Sequence, residues 1–520
     1  MTPPPDPSEH AGTEPRSEKT YDRPHIPAQR STEPDTSAGP SGPTGTDQPP
    51  GPADRPPPAD TGTPSPAEAD APRRSIRLEA PGTGVRDTWR AMGPGIAAAM
   101  TGIGASHIMH GPTAGAQYGY VLLWVIPFAY LLKYCAFEFA HRYTLVRGES
   151  IMEAYERTGK GRGNWPLWYL GFQSLANTFG IAGRALGAAA MLWAAFPFLP
   201  LTAWAVLVLL SSVAVLWAGK YKALELAVKI AIIVFAACVL LAFVLQSPPP
   251  GEYLTRLAPT LPPVGALLLF GAMWGYFPTT VEVAPMQSNW AVDKKSGMVR
   301  VRELEREGYR VDLAPNYLRN HLKLFKRDMN ISYVISMITG MAFLIVGAVV
   351  LNPRGIVPES SEMGLTIASI YTETFGVWIF PVIIAGGVAA LWSTVFTYFD
   401  GQARIFEEVC VRLHRAWDTP GIRAFIYRGF QILWVVAGTA IIFGLPEPIL
   451  VVQIASFLAL LFSPVLYWLN IKAIKDNFTS EDAPFLPSRF MFAWAWTGVA
   501  GLLGISCYIL YLEYLQPLFG

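Results

Sequence analysis

The sequence predicts an all-α integral membrane protein of about eleven transmembrane helices, on three observations. Of its 520 residues 51% are hydrophobic and only 15% are charged, where soluble domains carry about 25% charged residues. From residue 89 onward, apolar runs of about twenty residues recur, the length a bilayer needs. Lys and Arg collect in alternate connections between those runs, as the positive-inside rule expects.

Each element follows in order. Residues 1–88 are Pro, Ser, Thr, Gly, Asp and Arg with almost no branched or aromatic side chains. Such a tail cannot bury enough surface to offset its ordering entropy and is expected to be disordered. It has no apolar h-region of the kind a signal peptide carries. Spans are expected near 91–113, 117–144, 166–194, 200–218, 222–246, 264–288, 330–351, 375–402, 427–444, 448–471 and 489–515, with a short interfacial helix at 363–373. With the tail inside, the cytoplasmic loops hold Arg147, Arg157, Lys160 and Arg162, the basic loop 289–329, then Arg404, Arg412, Arg415, Lys472 and Lys475. The opposite loops offer little beyond Arg256 and Arg354. This puts the N-terminus in the cytoplasm, the C-terminus outside, and the protein in the plasma (inner) membrane. The end of the 289–329 loop interleaves apolar residues with Lys and Arg, which suggests either a helix lying on anionic lipid or a solvated, regulatory or variable insertion.

A net charge of +1 leaves no footprint for nucleic acid. The four cysteines show no CxxC spacing and no disulfide framework. No nucleophile elbow, HExxH, Walker motif or nucleotide fingerprint is present, so neither an enzyme nor a cofactor is expected.

Two spans read as broken. The first carries "GPGIAAAMTGIGASH", with Gly102 and Gly104; the sixth carries "LLLFGAMWGYFPTTVEV", with Gly275 and Pro278. They lie five spans apart and run in opposite directions, which points to an inverted-repeat transporter with its site at the breaks.

The residues then suggest a family. "GPG" followed by "AGAQYGYVLLWVI", "GKYKALE", "STVFTYFDGQ" and "ILVVQIASFLALLF" resemble the corresponding stretches of NRAMP-type proton-coupled divalent-metal transporters. The resemblance is collinear from about residue 90 to 475. It implies a LeuT-like fold of two inverted five-span repeats plus one extra span, and symport of a metal ion with protons. The departures fall on the functional positions. The family's D-P-G-N lies on Gly104, Ala105, Ser106 and His107, its M-P-H on Phe277, Pro278 and Thr279, and its tenth-span Gln on Ala459. Its third-span acids fall on Ser174 and Asn177. A divalent ion needs oxygen, nitrogen or sulfur donors, which the side chains of Gly104, Phe277 and Ala459 lack.

The substrate-site candidates are therefore Gly104, Ser106, His107, His110, Phe277, Thr279 and Glu282. At i, i+3 on a regular helix, His107 and His110 share a face, as metal ligands, as a proton relay, or simply as partners of backbone carbonyls. Glu282 lies just past the sixth-span break; an ionisable residue at a span centre costs about 2.5–3.5 kcal/mol and takes a partner or a cavity. It is a candidate for proton or charge coupling, as is Arg184 in the third span, which must find an acceptor in Glu282 or in an anionic substrate. Trp274, Tyr276, Phe277 and Trp290 form an aromatic group around the sixth span. Asp400 and Arg404, at i, i+4, are expected to pair. The expected function is a secondary transporter whose nominal substrate is a divalent metal cation held without the family's usual ligands. The alternatives are a transporter of a small organic or anionic solute on the same fold and a transport-inactive membrane receptor or sensor.

Overall fold

The computed structural model describes residues 74–84, 86–87, 104–219 and 222–516. The start of the first expected span, Gly102 included, lies outside the described residues, as do residues 1–73 of the tail.

The described residues are helical almost throughout. A π-helical turn, Ser106–His110, runs into α1, Gly111–Tyr118. Next come α2, Val125–Arg147, and a short amphipathic helix α3, Ile151–Gly159, capped by the Ser150 hydroxyl. The third expected span is two helices, α4, Trp165–Ala176, and α5, Thr178–Ala195, meeting at Asn177. Helices α6, Leu201–Ala218, and α7, Lys222–Gln246, follow. The sixth expected span is α8, Leu267–Tyr276, and α9, Val283–Asp293. Then come α10, Met298–Arg306, and α11, Tyr317–Val350. The predicted short helix is α12, Met363–Phe375. The last four are α13, Phe380–Leu413; α14, Pro420–Gly444; α15, Pro448–Asn477; and α16, Arg489–Leu510.

Among the described residues, eight helices are long and apolar enough to cross a membrane. Three expected spans fall short of that measure for physical reasons. The first is described only from residue 104. The second carries Lys133, Glu138 and Arg142 along α2. The sixth is divided at residues 277–282.

Two expectations about the connections need correction. Ser75–Leu78, inside the stretch read as disordered tail, is a strand, β1. It pairs in parallel with β2, Arg310–Leu313, in the long loop, with Ser75 opposite Arg310 and Leu78 opposite Leu313. "SIRL" alternates polar and apolar residues and half-buries Ile76 and Leu78. The basic end of that loop is no separate helix on the lipid, because Tyr317 opens α11 and the helix continues unbroken into the seventh span.

The loops assigned to one side do meet at one end of the bundle. Arg147 pairs with Asp482 at 2.8 Å, Arg302 with Glu149 at 2.9 Å, and Arg412 with Glu156 at 2.7 Å. At the other end the Asn352 amide donates to the Ala116 carbonyl at 2.8 Å and the Tyr118 hydroxyl to the Gly265 carbonyl at 2.7 Å. Close packing depends on glycine where helices cross. A Cβ at Gly183 of α5 would lie 2.9 Å from the backbone nitrogen of Val452 in α15.

Candidate functional site

The local cause of the break in the sixth span is the Phe277–Pro278 pair. Proline has no N–H and disfavours helical backbone at the preceding residue, and Phe277 is extended, with φ −86° and ψ 133°. Helix α8 therefore stops at Tyr276 and α9 starts at Val283, with Glu282 as its first flanking residue. Gly275 lets the end of α8 approach α15, since a Cβ there would collide with the Ser456 carbonyl.

Between the breaks lies a small cavity. The first span lines it with Gly104, Ala105 and Ser106, and the sixth with Tyr276, Pro278, Thr279 and Thr280. Arg184 of α5 and Thr394 and Tyr398 of α13 complete the wall. Its volume is about 20 Å³, against ~10–15 Å³ for one water. One water, a bare ion or the edge of a head group fits; a solute body requires the half-helices to part.

Arg184 dominates this cavity electrostatically. It is buried, and its guanidinium lies 3.9 Å from the centre of the Tyr398 ring and 4.8 Å from that of Tyr276. Its Nη1 has no hydrogen-bond partner among the described residues. Around it the Thr280 and Tyr398 hydroxyls bond each other at 2.8 Å, and the Thr394 hydroxyl donates to the Leu391 carbonyl at 2.7 Å.

Glu282 is buried, and both its oxygens are engaged by the third span. The Asn177 amide donates to Oε1 at 2.8 Å, and the Gln173 amide donates to Oε2. Arg184 thus stacks on rings while Glu282 is held by amides. Ser174, one turn away, donates to Gln402 at 2.9 Å. The polar residues at Ser174 and Asn177 brace α13 and α9 against the third span.

The histidines do not converge. His107 bonds Ser106 Oγ through Nδ1 at 2.9 Å, and its Nε2 lies 3.0 Å from the Ser336 carbonyl of α11 and 3.2 Å from the Tyr130 hydroxyl. The Nε2 of His110 bonds Ser456 of α15 at 2.8 Å. The expectation that they share a face assumed regular α-helix. Ser106–His110 is a π turn, whose wider winding sends the two rings to different neighbours. Phe277 also turns from the cavity, its ring 5.0 Å from that of His107. Among the described residues no group of three or more His, Cys, Asp or Glu side chains could hold a metal ion.

Of the residues singled out from sequence, Gly104, Ser106, Thr279, Pro278 and Arg184 line the cavity. His107, His110, Phe277 and Glu282 stand behind it, and Gly275 sits at the end of α8 without lining it. Sequence reasoning missed Thr394 and Tyr398 as wall residues and Lys133 altogether. Thr394, Tyr398 and Gln402 recur at four-residue spacing through "STVFTYFDGQ", one face of α13. Lys133 sits in mid-span in "FAYLLKYCAFEFAHR" and carried the same signal as Glu282.

The geometry can be set beside known proteins. A family model described as natural resistance-associated macrophage protein-like, Nramp, matches residues 95–512. An uncharacterized protein of Pasteurella multocida is 27% identical over 413 residues, which cover 75% of this chain and 87% of that protein. A divalent metal cation transporter, MntH, of Mycobacterium tuberculosis is 25% identical over 319 residues, 61% of this chain and 70% of its own length. Among solved structures, a manganese transporter of Eremococcus coleocola aligns with a TM-score of 0.53 and 15% identity, covering 85% of this chain and 98% of the other. At that identity the likeness is one of fold.

Proposed function

From a chain that belongs to the Nramp family, integral membrane transporters of LeuT-like fold and not enzymes, we propose a secondary transporter whose substrate is a small anionic solute, a carboxylate in the first instance, bound between the broken first and sixth spans. One observation carries this reading: Arg184 lines the cavity, buried, with an Nη1 that has no hydrogen-bond partner among the described residues. A guanidinium cannot shed its proton, and its planar donors match carboxylate oxygens. A buried donor left unsatisfied costs about 1–3 kcal/mol, which a bound acceptor recovers. The charge balance agrees. Arg184 and Lys133 bring two cationic side chains to the break, and Glu282 brings one carboxylate. A small anion offsets the remainder, whereas a divalent cation adds to it.

The mechanism follows from the chain's own groups. The solute's charged head enters between Ser106, Thr279 and Arg184, and its arrival satisfies Nη1. Alternating access then proceeds by rocking of the half-helices around the filled site. The end of the bundle where Arg147, Glu149 and Arg412 pair is read as cytoplasmic by the positive-inside rule, in a plasma membrane. Residues 89–520 are read as the transporter domain and the tail before them as cytoplasmic.

The second reading is a divalent metal, favoured by what the Mycobacterium and Eremococcus relatives carry. It would draw on water and on Glu282, whose oxygens the Gln173 and Asn177 amides would have to share, and His110 keeps an Nδ1 without a partner among the described residues.

The test is a thermal-shift titration of detergent-purified protein with small carboxylates and, separately, with Mn²⁺, followed by liposome flux of any ligand that binds. Carboxylate stabilisation that is lost in Arg184→Gln supports the anion reading. Stabilisation by Mn²⁺ that survives Arg184→Gln overturns it in favour of metal.

A further inference from the structure

Lys133 lies near the middle of α2 and is completely buried. Its Nζ donates to the Gly275 carbonyl at 2.6 Å and to the Thr279 carbonyl at 3.1 Å. These two carbonyls flank the Phe277–Pro278 turn. In an unbroken helix the first would accept from the amide of Thr279 and the second from that of Val283. At the break the Val283 amide bonds Thr280 instead, at 3.1 Å. The interruption thus leaves backbone oxygens facing a buried space, where nothing but a donor or a cation can satisfy them. The end of α8 is also the negative pole of its helix dipole. Carbonyls on two sides and a helix C-terminus make a position suited to a small monovalent cation, and the chain fills it with its own ammonium group.

We propose that Lys133 is a tethered cation: it occupies the cation position at the sixth-span break, so the break keeps its shape, and transport runs, without a free alkali ion such as sodium. Lys133 does not line the cavity. It acts as a positioning residue through the Gly275–Thr279 segment, which carries Tyr276, Pro278 and Thr279 on the cavity wall. Its charge is one of the two that leave the break positive, so it also favours an anionic solute at Arg184. The inference rests on reading the break as the transport site, and its test needs no solute, so the two can fail separately.

The experiment is the melting temperature of the full-length protein in detergent, in choline chloride, sodium chloride and ethylammonium chloride at equal ionic strength. The parent protein is expected to melt at one temperature in all three salts. Lys133→Ala should melt lower in choline and recover at least half of the loss, saturably, in ethylammonium, whose size matches the deleted ammonium and terminal carbons. Lys133→Met keeps the length without the charge and should show the loss and no recovery. Recovery in Lys133→Ala and none in Lys133→Met would show that the position needs an ammonium group and not the apolar bulk of the side chain. Sodium-dependent stabilisation of the parent protein overturns the proposal, as does Lys133→Met melting with the parent, or Lys133→Ala failing to respond to ethylammonium. Should Lys133→Ala not fold, the sodium-for-choline comparison and Lys133→Met still decide.

Discussion

The charged end of the bundle and the break at its middle handle ions in opposite ways. At the charged end the carboxylates of Glu149 and Glu156 are met by guanidinium groups. Glu149 accepts from Arg157 at 2.6 Å, from Arg302 at 2.9 Å and from the Tyr143 hydroxyl, and Glu156 accepts from Arg412. These pairs join α3, α10 and α13, elements far apart in the chain. At the break the cations meet rings and carbonyls, and the one carboxylate meets amides. Compensated charge ties elements together. Charge held by neutral partners keeps its field, and that field is available to a ligand.

The comparison breaks most plainly at Arg184. Hydrogen bonds to charged groups contribute about 1.5–3 kcal/mol, so Arg184→Gln should weaken carboxylate binding by roughly 10- to 100-fold. Arg302→Gln, at the charged end, should leave that affinity within about twofold, its partner Glu149 keeping Arg157. Titration of both variants with one carboxylate reads the difference. Equal losses would mean that the two regions do not differ as described.

Glu282 sharpens the same contrast. Glu282→Gln keeps a side chain that Gln173 and Asn177 can still bond and removes the only carboxylate among the groups described at the break. Anion affinity should then rise roughly two- to fivefold, since a screened repulsion has gone. A cation substrate demands the reverse, so weakened uptake of Mn²⁺ in this variant would return the site to metal. His107→Ala and His110→Ala should lower the melting temperature, each loss reflecting about 1–3 kcal/mol of stranded buried polar groups. Carboxylate affinity in both should stay near that of the parent, because neither ring lines the cavity.

What the sequence made legible, and what it hid, follows the range of the interactions. Eight of the expected span positions and the shared end of the basic loops are local composition, and local composition was enough for those. The sixth-span break was legible because proline at 278 allows little else. The one-residue interruption at Asn177 was not, since that position carries neither glycine nor proline and its amide is held by Glu282 from another span. The divergence of His107 and His110 was hidden because it depends on a π turn that the spacing alone does not announce. The pairing of Ser75–Leu78 with Arg310–Leu313 joins segments more than two hundred residues apart, and nothing in either names the other. Lys133 was legible and overlooked: a lysine amid apolar residues carried the signal, but its partners are backbone carbonyls freed by a break on a different helix.

The smallest expected effect lies at the charged end and concerns acid. Burial alone would raise the Glu149 carboxyl, but hydrogen bonds from Arg157 and Tyr143 override it and hold the group well below its ordinary 4.5. A carboxyl lowered in the folded state contributes stability that is fully present above its ordinary value and is lost as pH falls toward the folded value. The melting temperature of the parent protein should therefore begin to fall below about pH 4.5, by a few degrees over the next unit. Glu149→Gln cannot titrate, so it should start lower at neutral pH and lose less on acidification. If the two profiles stay parallel, Glu149 is not the compensated charge that ties α3 to α10, and the contrast with the break loses its firmest counterpart.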